Sequence, residues 1–155
     1  MSAHARAVRW LGHRRWFAAL GRRFAPLDRR LLRATRGRLG LTGVPVYPTL
    51  LLTTTGRRSG RPRTTPVMYV RDGERLVVSS ESFGQSRPAA WPLNLDAEPR
   101  AVVEVDGRAR ECRARRLDDA EADRLWPRFV EIWPAHQTYL ARSGVRHMYA
   151  LEPGP

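Results

Sequence analysis

The stretch YPTLLLTTTGRRSGRPRTTPVMYVR, residues 47–71, has the pattern of two strands joined by a basic turn. An apolar run at residues 49–54 leads into the turn, GRRSGRPR at residues 56–63, and a second β-rich run ends at residue 71. Glycines in such a turn allow tight backbone conformations that bring N–H groups close to a ligand. Arginine binds phosphate or carboxylate through paired hydrogen bonds. The stretch therefore predicts a hairpin whose turn binds a polyanion, and the alternative is a solvated basic hairpin.

Outward from this hairpin, the hydrophobic pattern predicts a single α+β domain. The turn pairs Asp72-Gly73 and Asp106-Gly107 each indicate a hairpin. Pro66 within the second strand indicates an edge or a bulge, because proline cannot donate to a strand ladder. We predict strands at about residues 49–54, 63–71, 75–80, 101–105, 108–116 and 146–151, helices at about residues 88–96 and 118–132, and a loop at residues 133–139.

The N-terminal residues 5–24 have the pattern of a basic amphipathic helix. The arginines fall largely off its apolar face, which is formed by Trp10, Phe17, Leu20 and Phe24. Basic helices with aromatic anchors lie on anionic membranes. We therefore expect peripheral contact with the inner face of the membrane, and the alternative is packing on the domain itself or on a subunit partner.

Pro26 is expected to end this helix, because proline disrupts a helix interior. Asp28 is placed to cap a second short helix at residues 28–36. The chain is thus predicted to consist of an N-terminal helix within residues 1–26 and a domain at residues 27–155.

The charge of the chain is strongly positive and unevenly distributed. Its 155 residues have a formal net charge of +13. Residues 1–71 hold 16 of the 28 arginines and a single acid, whereas residues 72–155 hold 12 arginines and 14 acids. A basic half predicts an anionic partner, which is an acidic cofactor, an anionic lipid surface or nucleic acid.

Several other classes of protein find no support in the sequence. The single cysteine, Cys112, allows no intrachain disulfide, and with no membrane-length apolar run or secretory signal this predicts a cytoplasmic location. The chain has no G-x-S-x-G motif, no P-loop and no metal-ligand spacing of Cys and His. The glycines of the basic turn are not followed by a predicted helix, as a dinucleotide fingerprint requires. We therefore expect the protein to use the reactivity of a bound cofactor.

The hairpin stretch resembles the signature of the deazaflavin-dependent nitroreductase and quinone reductase family, in which LLTTTGR-K/R-S/T-G-x-PR-x-x-P lies between two strands. The resemblance continues through a Trp-x-x-Asn-Leu motif at residues 91–95 and a Trp-Pro pair at residues 126–127, and covers about residues 28–153. It implies a split β-barrel of the FMN-binding, flavin-reductase-like type and the use of coenzyme F420, an 8-hydroxy-5-deazaflavin. A homodimer is a common arrangement in such folds.

The resemblance also implies a cofactor site. Pro66 and Val67 match positions beside the deazaflavin ring, and Trp91 and Asn94 match the Trp-x-x-Asn element. Core packing is the alternative for Trp91, and a helix C-cap is the alternative for Asn94. The positions that match contacts to the phosphate and oligoglutamate tail are Arg57, Arg58, Ser59 and Arg63, with Arg61 adjacent.

Departures from the family pattern concern the side of the electron acceptor. Ser82 stands where the family often has a lysine, and Trp133 and His136 replace tyrosines of the nitro-drug-activating members, while Tyr139 remains. We expect His136 and Tyr139 to donate protons during the reaction. A structural hydrogen bond is the alternative for each.

The sequence thus predicts an oxidoreductase that passes a hydride from reduced F420 to an electron-poor acceptor such as a quinone, a nitro compound or an activated alkene. FMN is the less favoured cofactor. One alternative is a non-catalytic F420 carrier. The other is an arginine-rich nucleic-acid-binding domain, but the turn arginines are not interleaved with aromatic residues, as a surface for stacking bases requires.

Overall fold

Six antiparallel strands form a closed barrel in the computed structural model, which describes residue 7, residues 10–35 and residues 47–154. The order around the barrel is β1-β2-β3-β6-β5-β4, and β4 pairs back with β1. The expected α+β split β-barrel is confirmed, and each strand lies within two residues of its predicted bounds. The strands are β1 (Thr49–Thr55), β2 (Pro62–Asp72), β3 (Arg75–Ser80), β4 (Arg100–Val105), β5 (Arg108–Arg116) and β6 (His147–Pro153).

The barrel wall has an opening where β2 extends beyond its neighbour β3. The pairing of these two strands stops at Tyr69↔Val78, whereas the pairing of β2 with β1 continues to Pro62. Pro66 lies in the part of β2 that faces the opening, so its missing N–H group breaks no bond to β3. The predicted edge position of this proline is confirmed. We call the space between residues 62–68 and 79–81 the β2–β3 opening.

Two apolar cores lie on opposite sides of the barrel wall. The inner core fills the barrel, and helix α2 (Ala90–Ala97) packs against it through Trp91 and Leu95. Cys112 lies in this inner core, where burial raises the pKa of its thiol to about 11, as expected of an inert thiol. The outer core lies between the wall of β2, β3 and β6 and two helices, α3 (Asp119–Ile132) and α4 (Ala135–Ser143).

One continuous helix, α1 (Arg15–Ala34), replaces the predicted boundary between a helix at residues 5–24 and a second, short helix at residues 28–36. Pro26 lies inside it, and the predicted boundary between residues 26 and 27 falls within the helix. Packing compensates for the hydrogen bond that proline removes, because Phe17 packs against the outer core and Leu32 is buried. Asp28 is therefore a mid-helix residue, and its prediction as an N-cap is wrong.

The start of α1 also differs from the prediction, because residues 12–14 form a turn and a bend. The first six residues of the predicted helix lie mostly outside the described part of the chain, as do residues 36–46. No helix in the described ranges is long and apolar enough to cross a lipid bilayer.

The predicted loop at residues 133–139 is wrong, because α4 occupies most of it. Pro134 precedes the first turn of this helix, and Gly144 ends it in the left-handed conformation with φ of 70°. The buried residues Ala135, His136 and Tyr139 recur at helical spacing and face the outer core. A short helix thus follows the pair Trp133-Pro134, and its buried face contains two polar side chains, those of His136 and Tyr139.

Candidate functional site

The basic turn between β1 and β2 is a compact hydrogen-bonded loop. The carbonyl of Gly56 accepts the N–H groups of Ser59 and Gly60 at 3.1 and 2.7 Å, and the N–H of Gly56 donates to the carbonyl of Arg61 at 2.9 Å. A Cβ atom on Gly56 would lie 2.8 Å from Ser59 Oγ and 3.1 Å from the Arg61 carbonyl oxygen. A side chain at Gly56 would therefore crowd the Arg61 carbonyl and displace the Ser59 hydroxyl at the base of this turn.

Asn94 of α2 fixes the turn to the barrel. Its side chain is buried; Nδ2 donates to Thr54 Oγ1 at 3.0 Å, and Oδ1 accepts the Arg57 N–H at 3.1 Å. Thr54 is itself buried at the end of β1. A buried amide with both ends satisfied holds its partners rigidly. Asn94 thus orients the turn rather than capping α2 with its side chain.

Four arginine side chains project from this fixed turn. Arg57, Arg58, Arg61 and Arg63 are all exposed. None of the ion pairs found in the described part of the chain involves them. Ser59, also exposed, directs its hydroxyl oxygen to the Arg61 N–H at 3.3 Å. The turn is therefore a concentrated positive charge on a rigid support, which favours a polyanionic ligand.

The other residues predicted to contact the cofactor lie in three different settings. Pro66 is half-buried in the β2–β3 opening, and Val67, next to it, is buried in the inner core. Trp91 is also in the inner core, where its ring meets that of Tyr149 edge to face with centroids 5.7 Å apart. The structure therefore brings Asn94 and the turn arginines together and places Trp91 away from them as a core residue.

The two predicted proton donors lie side by side on α4, and both are buried. Nδ1 of His136 is 2.5 Å from Glu81 Oε2. The other nitrogen, Nε2, has no hydrogen-bond partner among the described residues. The hydroxyl of Tyr139 donates to the carbonyl of Gly12 at 2.7 Å. His136 thus has one nitrogen bonded to Glu81 and one without a partner among the described residues, whereas the tyrosine hydroxyl has a backbone acceptor.

A turn at residues 12–14 packs against α4 and against Trp133, two positions before that helix. Gly12 is buried, and a Cβ atom on it would lie 2.2 Å from the Trp133 ring. His13 Nδ1 lies 2.7 Å from Thr138 Oγ1, and Arg142 donates to the His13 carbonyl at 2.8 Å. These contacts leave no room for a side chain at Gly12 and attach the N-terminal segment beside His136.

Sequence reasoning missed two elements of this region. Glu81, to which the sequence predictions give no role, follows β3 directly and is only 2% exposed. Ser79 Oγ donates to its second carboxylate oxygen, Oε1. A lone acid at the end of the apolar run LVVSS was the signal that a partner would be needed. The docking of residues 12–14 had no such signal, because it depends on a glycine that meets a distant tryptophan.

Comparison with known proteins agrees with this geometry. The family model of the F420H(2)-dependent quinone reductases matches residues 24–147. An F420H(2)-dependent quinone reductase of Mycobacterium tuberculosis is 35% identical over 100 residues. That match covers 62% of this chain and 66% of the relative, just under two thirds of its length.

Solved structures share the barrel. An F420-H2 dependent reductase has a TM-score of 0.62 at 26% identity and covers 68% of this chain and 94% of its own. A chain described as a domain-swapped dimer has a TM-score of 0.63 at 25% identity and covers 82% of this chain and 95% of its own. The pattern of the basic turn, its fixed geometry and the family match lead to one conclusion: the chain belongs to the F420H(2)-dependent quinone reductase family.

Proposed function

We propose that this protein uses reduced coenzyme F420 to reduce a quinone, with nitro compounds and activated alkenes as further electron-poor acceptors. The observation that carries the proposal is the set of four exposed arginines on a turn fixed by Asn94. Bound reduced F420 supplies a hydride, and the protein supplies binding, orientation and a proton.

The charge on the turn suits the anionic tail of F420. Its phosphate and glutamate carboxylates offer several sites for the forked guanidinium groups of Arg57, Arg58 and Arg63, with Arg61 beside them. A hydrogen bond to a charged group contributes about 1.5–3 kcal/mol. FMN has a single phosphate and satisfies fewer of these arginines, so it remains the less favoured cofactor. Ser59 and Asn94 support this binding through the shape of the turn.

We place the deazaflavin ring in the β2–β3 opening. The support is the position of Pro66 and Val67 on the stretch of β2 that faces the opening. This stretch of β2 is not paired with β3, and Arg29 of α1 already donates to its Thr64 carbonyl at 2.8 Å. In this arrangement Trp91 supports the ring site indirectly, because it packs in the same inner core as Val67.

The acceptor receives its proton from α4 in this proposal. His136 is the favoured donor, because Nε2 has no partner among the described residues. Tyr139 is the second candidate, and its hydroxyl would have to leave the Gly12 carbonyl before it reached an acceptor. The direct test is the loss of quinone reduction in His136→Gln and Tyr139→Phe with F420 affinity unchanged.

Titration of the protein with F420, FMN and FAD, followed by fluorescence, tests the cofactor. We expect F420 to bind more tightly than FMN, and a tail-truncated deazaflavin to lose most of that advantage. Equal or better FMN affinity would contradict the proposal. Binding of F420 without turnover against a panel of quinones would support the carrier alternative. Binding of nucleic acid that F420 does not displace would support the alternative of a nucleic-acid-binding domain.

Helix α1 supports a proposal of peripheral membrane contact at the cytoplasmic face, where quinones are dissolved. Its outer side exposes Trp16, Leu20, Phe24 and Leu27, and Arg23 and Arg30 are exposed on the same side. Apolar anchors beside basic residues suit an anionic lipid surface.

Flotation with vesicles that contain anionic lipid tests this contact. We expect wild type to float with the vesicles and a Trp16→Gln/Leu20→Gln/Leu27→Gln variant to remain in solution. Vesicles of neutral lipid should recover little of either protein. Equal recovery of the two proteins would refute the proposal. Because the variant keeps Phe17 and Leu32, which face the core, it should fold and bind F420 normally.

We also propose a homodimer, because a solved structure with the same fold is described as a domain-swapped dimer. Light scattering on the purified protein gives the mass directly. A monomer at micromolar concentration would contradict it.

A further inference from the structure

A buried acid–base pair lies at the edge of the β2–β3 opening. The side chains of Glu81 and His136 have exposed fractions of only 2% and 9%. Their facing atoms, Oε2 and Nδ1, are 2.5 Å apart, and Ser79 donates to the second carboxylate oxygen. A buried carboxylate is costly unless it is paired and hydrogen-bonded. The three side chains therefore form one unit in which each carboxylate oxygen has a partner.

The remaining polar atom of this unit is Nε2 of His136, which is buried without a hydrogen-bond partner in the described part of the chain. Three aromatic rings surround the imidazole, with centroids 5.7 Å away for Phe129, 5.8 Å for Trp126 and 6.4 Å for Tyr139. Buried nitrogen atoms are nearly always hydrogen-bonded in folded proteins. An orphaned nitrogen in an otherwise satisfied unit indicates a partner that arrives with a ligand.

The strand register relates this unit to the opening. The last pair between β2 and β3 is Tyr69↔Val78. Beyond this pair β3 continues to Ser80, and Glu81 follows with φ of −109° and ψ of 21°, outside the extended strand. Glu81 thus borders the opening on the β3 side, and the stretch of β2 that contains Pro66 borders it on the other side.

We propose that Glu81, seated by Ser79, is a positioning residue that accepts a hydrogen bond from Nδ1–H of His136 and orients Nε2 for proton delivery to the acceptor. The inference rests on the proposed function. A quinone that has accepted a hydride needs one more proton to become a hydroquinone. The Nε2–H bond of His136 breaks, an O–H bond forms on the acceptor oxygen, and the imidazole is left neutral with its Nδ1–H still donated to Glu81. A proton from solvent then restores the imidazolium.

Two other titratable groups face the pair and bear on any pH profile. One is the Tyr139 hydroxyl on α4, which donates to Gly12. The other is His147 on β6. Burial and the positive charge of Arg116 lower the pKa of His147 from its usual value, although the charges of Asp96 and Glu81 act in the opposite direction. The side chains of α3 that meet the imidazole ring, Trp126 and Phe129, carry no charge.

Glu81→Gln removes the charge and keeps the shape, so it is the first test. We expect quinone reduction at saturating F420 to fall about a hundredfold, the scale of general acid catalysis, with F420 affinity within twofold of wild type. The fall of kcat with rising pH should begin at lower pH in the variant, because its imidazolium has lost its partner. Proton NMR of the protein without cofactor should show the Nδ1–H resonance of His136 shift upfield.

The controls separate this inference from a structural role and from the proposed function. Absence of F420 binding or turnover in wild type would count against the proposed function alone. A turning-over wild type with unchanged kcat and pH profile in Glu81→Gln would overturn the inference and make the pair structural. Added imidazole should restore turnover to His136→Ala, and failure to do so would also count against it. If Glu81→Gln does not fold, Ser79→Ala must shift the pH profile in the same direction, and an unchanged profile overturns the inference.

Discussion

The two ends of β2 carry arginines in opposite electrostatic surroundings. At the start of the strand, the turn arginines are exposed and take part in none of the ion pairs of the described residues. At the end of the strand, Asp72 accepts Arg75 at 2.7 Å and Arg124 at 2.9 Å, and Arg75 also reaches Glu121 at 3.3 Å. We call this second group the Asp72 network. Arginine thus occurs in two different surroundings on this strand, one with acidic partners and one without them.

The difference separates the arginines that have ion-pair partners within the fold from those that have none among the described residues. Hydrogen bonds from Arg124 and Arg75 hold the pKa of Asp72 well below its usual range, and Arg115 lowers the pKa of Glu121 to about 2. The charges of this network are satisfied within the protein. The turn has no acid to do the same, so its charge is available to an outside anion.

The largest effect is expected from removing charge at the turn. Arg58→Gln combined with Arg63→Gln should weaken F420 binding about a hundredfold, since about 1.4 kcal/mol for each arginine is a factor of ten. The melting temperature without cofactor should change little, because these side chains are exposed. Fluorescence titration and calorimetry measure the two quantities.

The matched control changes two other exposed arginines at the far end of the barrel. Arg108→Gln with Arg110→Gln removes the same charge near the Asp106-Gly107 turn. If this control weakens F420 binding as much as the turn variant, net charge rather than the turn attracts the cofactor.

A smaller effect is expected where the turn is joined to the barrel. Asn94→Ala removes two side-chain hydrogen bonds and leaves Thr54 buried without its partner, at a cost of about 2 kcal/mol in the free energy of unfolding. For a chain of this size, that lowers the melting temperature by about 6 °C. F420 binding should weaken as well, because the Arg57 N–H loses its acceptor.

Thr54→Val is the matched variant for this pair. It removes the bond to Asn94 Nδ2 and keeps the bond to Arg57, so it should destabilise the fold and leave F420 affinity near that of wild type. Equal losses of affinity in the two variants would mean that Asn94 does not orient the turn.

The smallest effect is expected in the Asp72 network at neutral pH. Asp72→Asn should lower the free energy of unfolding by about 1 kcal/mol, because the arginines are partly exposed and screened. F420 binding should not change. The contrast between the two regions holds if Asp72→Asn changes only the free energy of unfolding and the turn variant changes only the affinity for F420.

The same variant should alter the response to acid. The folded pKa values of Asp72 and Glu121 are depressed, so their contribution to stability is present above the unfolded value of about 4 and is lost as pH falls towards 2. Thermal melts from pH 6 to pH 2.5 should therefore show a shallower decline for Asp72→Asn than for wild type. Asp106→Asn, a charge change in the other hairpin turn, should show the wild-type slope.

The strands and the basic turn could be predicted from sequence because their signals are local. Alternating side chains, the glycines of the turns and the pair Asp106-Gly107 determine where chain segments extend and reverse. The positions of the turn arginines follow directly from that. The basic turn of the candidate site could thus be located from the 25 residues 47–71 alone.

The remaining features depend on contacts between distant segments, which a local pattern does not contain. α1 continues through Pro26 because Phe17 and Leu32, on either side of it, pack in the fold. The buried unit of Glu81 and His136 joins residues 55 positions apart. Asn94 and Thr54 are likewise 40 positions apart. Each of these side chains has an unremarkable local context, and only the barrel brings the partners together.

The docking of Gly12 against Trp133 has a thermodynamic consequence for the whole molecule. It joins the segment that leads into α1 to the helix that carries His136. If a ligand bound to α1 were coupled to α4 through this contact, a ligand of the acceptor site would act back on α1 with the same free energy. A lipid surface and a quinone would then be reciprocal effectors of one another, although they touch different helices.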